Sequence, residues 1–186
     1  RVLFRSFLIF EDWGNSKFYT SPDTGTTWID RGVIGTAGGD QPGSITSIAI
    51  GTYGNVIYLS EYFLSNIGNI YKSTDGGATF SVIRTGVGVQ NLNISADGSI
   101  LQVFEDDGYF ISTNYGASFT SISSNFFGYG YVNPTGYPQY AVNTSSPITT
   151  PRYIQTIRTS GGPLIDYTNL PQSSGYTSID ASQDDK

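Results

Sequence analysis

The chain has 186 residues, of which 38% are hydrophobic, 15% aromatic and only 13% charged, with 23 glycines. This composition is typical of a folded, turn-rich all-β protein rather than a disordered one. The net charge is −6 and both cysteine and histidine are absent, which excludes disulfides, thiolate metal sites and Ser-His or Cys-His catalysis, and argues against nucleic acid as a partner.

In chain order, the sequence predicts strands that recur in groups. The apolar run at residues 1–10 is interpreted as a strand rather than a signal peptide, because its apolar part is short and no small-residue cleavage site follows. Two kinds of hairpin then alternate. The first kind is split by a glycine-containing turn and spans residues 47–60 and 91–104. The second kind spans residues 18–28, 70–80 and 109–119. Together they predict four strands per repeat.

The second kind of hairpin carries the repeated pattern Ser-x-Asp/Asn-x-Gly-x-Thr/Ser-aromatic. Its members are Ser21, Asp23, Gly25 and Trp28; Ser73, Asp75, Gly77 and Phe80; and Ser112, Asn114, Gly116 and Phe119. The acid or amide suits a turn closed through the backbone, and the glycine suits positive φ. The aromatic residue is expected to pack over the hairpin. A shorter fourth copy, at residues 157–164, lacks the acidic residue. We interpret these turns as structural rather than ligand-binding.

This pattern resembles the Asp-box, or BNR repeat, of sialidases and related β-propellers. The resemblance implies a β-propeller of four-stranded blades. It does not extend to the catalytic motifs of sialidases, which use three arginines, a tyrosine nucleophile with a glutamate, and an early Arg-Ile-Pro motif. Because no arginine here lies in such a motif, no catalytic residue is carried over.

The repeat predicts one domain, residues 1–186, with four blades. The predicted blades comprise residues 176–186 plus 1–34, residues 44–86, residues 87–124 and residues 125–172. In one interpretation the ring closes by pairing of residues 176–181 with residues 2–9, which leaves no free sheet edge. In the other, the four blades are part of a larger propeller.

Acidic residues recur between the second and third predicted strands of three blades: Glu11, Asp12, Glu61, Glu105, Asp106 and Asp107. Three interpretations remain open. They are ordinary solvated turn residues, or a site for calcium or a cationic partner, or a pair of acids that hydrolyses a glycosidic bond.

An aromatic stretch at residues 126–140 includes Tyr129, Tyr131 and Tyr137. Tyrosine combines an apolar ring with a polar tip, so these residues suit the face of a sugar or a protein surface. The alternative is that they fill the space between blades.

The sequence therefore predicts a non-catalytic binding or structural β-propeller, secreted or displayed on a surface, that recognises a glycan or a protein on one face. One alternative is a fragment of a glycoside hydrolase, and another is a viral or phage surface component. No apolar run reaches the roughly 18 residues of a membrane-spanning helix. Calcium is the one cofactor that the acidic residues suggest.

Overall fold

The computed structural model describes residues 8–12, 17–34, 44–62, 68–106, 108–124, 127–137, 139–143, 154–157 and 164–167. Within these ranges every regular element is a β-strand, and the fifteen strands form four antiparallel sheets. The prediction of an all-β chain is confirmed. The predicted pairing of residues 176–181 with residues 2–9, and the turn of the fourth repeat copy, lie outside the described residues.

The chain divides into two compact units, residues 1–89 and 90–186. In the first unit, one sheet has the order β1 (Leu8–Asp12), β2 (Lys17–Ser21), β3 (Ile29–Val33). The second sheet has the order β4 (Ser44–Ile50), β5 (Ile57–Tyr62), β6 (Gly68–Ser73), β7 (Ser81–Val87). Within both sheets, each strand pairs with its neighbour in the chain.

The second unit contains the other two sheets. One consists of β8 (Val89–Ile94), β9 (Leu101–Glu105), β10 (Gly108–Ser112) and β11 (Thr120–Ser123). The other consists of β12 (Phe127–Val132), β13 (Gln139–Asn143), β14 (Ile154–Ile157) and β15 (Leu164–Tyr167). The predicted hairpins at residues 47–60 and 91–104 are confirmed as β4–β5 and β8–β9.

Each unit has its own apolar core. In the first unit, Ile57, Leu59 and Tyr71 form a buried cluster. In the second, Phe104 stacks on Tyr109 with ring centroids 4.9 Å apart. All five residues of β9 are buried. Because successive side chains of a strand point to opposite faces, both faces of β9 are covered.

The three repeated turns share one hydrogen-bond arrangement, which is clearest in residues 73–80. Ser73 Oγ accepts from the backbone N–H of Gly77 at 2.8 Å and donates to Asp75 Oδ1 at 2.8 Å. Asp75 then accepts two bonds from Thr79, one from the backbone N–H at 2.9 Å and one from the hydroxyl at 2.7 Å. These bonds from Thr79 lower the pKa of Asp75 to about 2.

The other two turns repeat this arrangement with one chemical variation. Asp23 binds the backbone and hydroxyl of Thr27 as Asp75 binds those of Thr79. Asn114 accepts from the backbone N–H of Ser118 at 2.9 Å, but its Nδ2 donates to Ser118 Oγ at 2.8 Å. The amide of Asn114 thus keeps the contact with the hydroxyl of Ser118, but as the donor, whereas Asp23 and Asp75 are acceptors.

Two successive residues of each turn adopt the left-handed conformation. In the second turn both are glycine, Gly76 and Gly77, with φ of 69° and 83°. In the first turn the leading residue is Thr24, with φ of 61°. A β-branched residue is strained there, because its Cβ crowds the backbone.

Thr24→Gly is therefore expected to leave the protein as stable as wild type or up to about 1 kcal/mol more stable, since relief of strain offsets the added chain entropy. Thr26→Gly is the control. Thr26 does not share the positive φ of Thr24, but its Oγ1 donates to the same acceptor, the carbonyl oxygen of Asp23. Urea denaturation of both variants provides the measurement. Equal losses of stability in the two variants would contradict the strain argument.

Candidate functional site

A pocket of about 260 Å³ lies in the first unit, between its two sheets. Strands β2, β3 and β6 and the turn that precedes β7 supply its walls. The lining residues are Phe18, Arg31, Val33, Ile34, Tyr71, Gly77, Ala78, Thr79 and Phe80. Apolar and aromatic residues outnumber polar ones in this lining, but polar and apolar atoms contribute about equally to its exposed surface. A mixed lining with a few positioned polar groups suits a small polar molecule.

Aromatic rings form one wall of the pocket. Phe18 is buried, and Phe80 meets it edge to face with ring centroids 5.2 Å apart. Gly77 allows this close packing, because a Cβ at that position would lie within 3.4 Å of Thr20, Ile57 and Phe18. The repeated turn of residues 73–80 therefore both connects β6 to β7 and shapes the pocket.

The guanidinium of Arg31 is held in place by neutral groups. Arg31 Nε donates to the buried Thr20 Oγ1 at 2.9 Å, and Nη2 donates to the Gly76 carbonyl at 3.4 Å. No carboxylate of the described residues forms an ion pair with it. The neighbouring Asp30 pairs instead with Lys17, at 2.7 Å. The pocket thus contains a fixed positive charge with unused N–H donors.

Tyr71, which also lines the pocket, hydrogen-bonds to a buried carboxylate. Its hydroxyl donates to Glu61 Oε2 at 2.7 Å, and Asn69 Nδ2 donates to the same oxygen at 3.3 Å. Burial, followed by the bond to Glu61, raises the pKa of Tyr71 to about 12. Tyr71 is therefore a neutral phenol near pH 7.

The interpretation of the acidic residues as solvated turn residues is wrong for two of them. Glu61 and Glu105 lie inside β5 and β9 and are only 1% and 3% exposed. Both strands extend further than predicted. In β5, the hydrogen bond from Tyr71 lets the carboxylate of Glu61 remain within the sheet.

The other acidic residues are distributed differently. Asp106 is exposed in the turn after β9 and accepts from Gln90 Nε2 at 2.6 Å. Glu11 and Asp12 are the last two residues of β1. Asp107 lies outside the described residues. No group of three or more His, Cys, Asp or Glu side chains suited to a metal ion occurs in the described part of the chain.

The predicted tyrosines do not form one surface. Tyr129 and Tyr131 alternate along β12 and share a face, where Tyr129 is 41% exposed and the Tyr131 ring lies 6.3 Å from that of Tyr140. Tyr137 packs instead against the core of the second unit. Of the aromatic residues that follow the repeated turns, Trp28 is 43% exposed, whereas Phe80 and Phe119 are partly buried.

The sequence prediction missed the pocket residues Arg31, Phe18 and Tyr71. A signal for Arg31 was present in the repeat itself. Aligned on the three turns, the position three residues after the aromatic residue holds Arg31 in the first copy, and Ile83 and Ile122 in the others. A charged residue at a position that is apolar in the other copies of a repeat indicates a role specific to that copy.

No family model and no curated protein sequence matches this chain. Solved structures of other proteins do match it. An ancestral GH74 enzyme has 16% identity and a TM-score of 0.57 over 87% of this chain. A Niastella koreensis GH74 enzyme has 17% identity and a TM-score of 0.59 over 81% of this chain. The tricorn protease has 10% identity and a TM-score of 0.62 over 83% of this chain.

This chain spans only part of each of these proteins: 25% of both GH74 chains and 15% of the tricorn protease chain. At such identities, the similarity concerns the fold alone. Among the described residues, the structure has no helix long and apolar enough to cross a membrane. The antiparallel sheets and these structural matches together show that the chain has an all-β, β-propeller fold.

Proposed function

We propose that this chain is a non-catalytic β-propeller binding module that holds one sugar ring of a glycan in the pocket of the first unit. The observation that carries the proposal is the composition of this pocket, with the partly buried Phe80 and the deeper Phe18 and Tyr71 as its aromatic lining and Arg31 as a fixed donor. Aromatic faces pack on the C–H groups of a sugar, while a few positioned polar groups orient it. At about 260 Å³ the pocket has room for a single ring rather than a chain.

Among the described residues no acid lines the pocket, which favours binding over hydrolysis. Most glycoside hydrolases use two carboxyl groups, roughly 5 to 9.5 Å apart, on either side of the scissile bond. None of the nine lining residues is Asp or Glu. Glu61 lies behind Tyr71, where it is buried and accepts hydrogen bonds.

We further propose that the repeated turns are Asp-boxes and that the module works outside the cell or on its surface, where glycans are accessible. The shared hydrogen bonds around Asp23, Asp75 and Asn114 support the first point. A second candidate function is that of a piece of a longer glycoside hydrolase. The similarity to GH74 enzymes over a quarter of their length favours it.

The proposal is tested by filling the pocket without removing any core side chain. Ala78 is exposed and lines the pocket, so Ala78→Trp places an indole in it. Ala117 is exposed and occupies the equivalent position of the third repeated turn, in the second unit. Ala117→Trp is therefore the matched control.

On a glycan array, wild type and Ala117→Trp are expected to bind the same glycans, and Ala78→Trp to bind them at least about tenfold more weakly. Unchanged binding by Ala78→Trp would show that the pocket is not the site. If wild type binds no glycan, the carbohydrate proposal is wrong. Release of reducing ends from a bound oligosaccharide would favour the hydrolase.

A further inference from the structure

Arg31 is a charged residue in a position that the fold does not require to be charged. The equivalent positions of the next two repeats hold Ile83 and Ile122, both partly buried. A partly buried guanidinium loses hydration, and the two hydrogen bonds of Arg31 to neutral acceptors replace only part of it. Among the described residues no carboxylate forms an ion pair with Arg31.

The hydrogen bonds of Arg31 orient its remaining donors. Nε and Nη2 are held by Thr20 Oγ1 and the Gly76 carbonyl, which fixes the plane of the guanidinium. Arginine has five N–H donors and keeps its charge at any physiological pH. A planar fork with unused donors matches the two oxygens of a carboxylate, or those of a sulfate ester.

Two acids that lie close in the chain to pocket-lining residues already have partners. Asp30 accepts from Lys17 Nζ and from the backbone N–H of Gly32. Asp75, in the turn beside the pocket, accepts from the backbone and the hydroxyl of Thr79. The chain also carries a net charge of −6, which disfavours non-specific attraction of anions. Recognition of an anion would therefore depend on this one residue.

We infer that Arg31 makes the pocket selective for an anionic sugar, bearing a carboxylate or a sulfate, over its neutral counterpart. The inference rests on the proposed glycan-binding function and specifies its ligand class. The aromatic walls contact the ring of the sugar, and Arg31 donates hydrogen bonds to its anionic group. Arg31 is thus a specificity residue of the binding site.

The test compares matched probes on wild type, Arg31→Gln, Arg31→Ile and Lys17→Gln. Glucose, glucuronic acid and glucose 6-sulfate are titrated separately into the full chain and followed by NMR chemical shifts. Lys17→Gln removes one positive charge from the same sheet, but Lys17 does not line the pocket. Arg31→Ile installs the residue of the other repeats, and its thermal unfolding reports whether Arg31 is needed for folding.

Wild type and Lys17→Gln are expected to bind at least one acidic probe about tenfold more tightly than glucose. Both Arg31 variants are expected to lose that preference and to bind the three probes with similar affinity, and Arg31→Ile is expected to keep the wild-type melting temperature. A preference for glucuronic acid alone identifies a carboxylate, and one for glucose 6-sulfate alone identifies a sulfate ester. Equal binding of all three probes by wild type would overturn the inference but leave the glycan proposal intact. No binding of any probe would overturn both.

Discussion

Phe104→Ala is expected to lower the free energy of unfolding by about 3 to 5 kcal/mol, the largest loss we expect from a single side chain. Phe104 is fully buried in β9 and stacks on Tyr109 with nearly parallel rings. Its ring also lies against Gly130 of β12, at the point where the two sheets of the second unit meet. Removing it opens a cavity between β9 and β12, and the lost stacking adds to the cost.

Gly130 allows this packing and provides the matched test. A Cβ at Gly130 would overlap the ring of Phe104 and would approach the Tyr140 carbonyl oxygen to 2.7 Å. Gly130→Ala in wild type is expected to cost about 1 to 3 kcal/mol through overpacking. In the Phe104→Ala background the same change is expected to cost less, because the methyl group enters the vacated space.

Urea denaturation of wild type, both single variants and the double variant measures this coupling. Residues in direct contact typically show coupling energies of about 0.5 to 3 kcal/mol. Additivity of the two losses, within about 0.5 kcal/mol, would contradict the proposed contact between β9 and β12.

Gly68→Ala is expected to destabilise the first unit by about 3 kcal/mol, since a methyl group at this position has no space. Its Cβ would overlap the carbonyl oxygen of Glu61 and lie 3.2 Å from that of Val87. Both obstacles are backbone atoms, so β5, β6 and β7 would have to separate locally. This movement would also displace Glu61 from Tyr71.

Gly86→Ala is the control for Gly68→Ala. Gly86 has a φ of 73°, but no atom lies within 4 Å of the position that an added methyl group would occupy. Only the backbone strain of about 1 kcal/mol is therefore expected. Thermal and urea unfolding of the two variants measure the difference. Similar losses in both would show that the steric conflict at Gly68 does not govern stability.

The hydrogen bonds that define the repeated turns connect residues two to four positions apart in the chain. Ser73, Asp75, Gly77 and Thr79 satisfy one another, so the pattern alone indicates the turn and the strands on either side of it. The hairpins β4–β5 and β8–β9 were predictable for the same reason, because a short turn connects each pair.

The residues at which strands β5 and β9 end were harder to predict from the sequence. From the sequence alone, Glu61 is assigned to a turn, since a carboxylate is rarely buried without a partner. Its partner Tyr71 lies on the next strand, and the register that brings the two together depends on the whole sheet. Glu105 is buried as well, at the end of β9.

By itself, the sequence determined that this protein is all-β, and its repeated turns and hairpins indicated the propeller, because those features depend on neighbouring residues. Only the tertiary structure decided that Phe18, Arg31, Tyr71 and Phe80 surround one pocket. These residues come from strands and a turn up to about 60 positions apart, and only the packing of one sheet on another brings them together. The candidate site therefore depends on how the two sheets of the first unit pack, whereas the repeated turn that lines it follows from the local sequence.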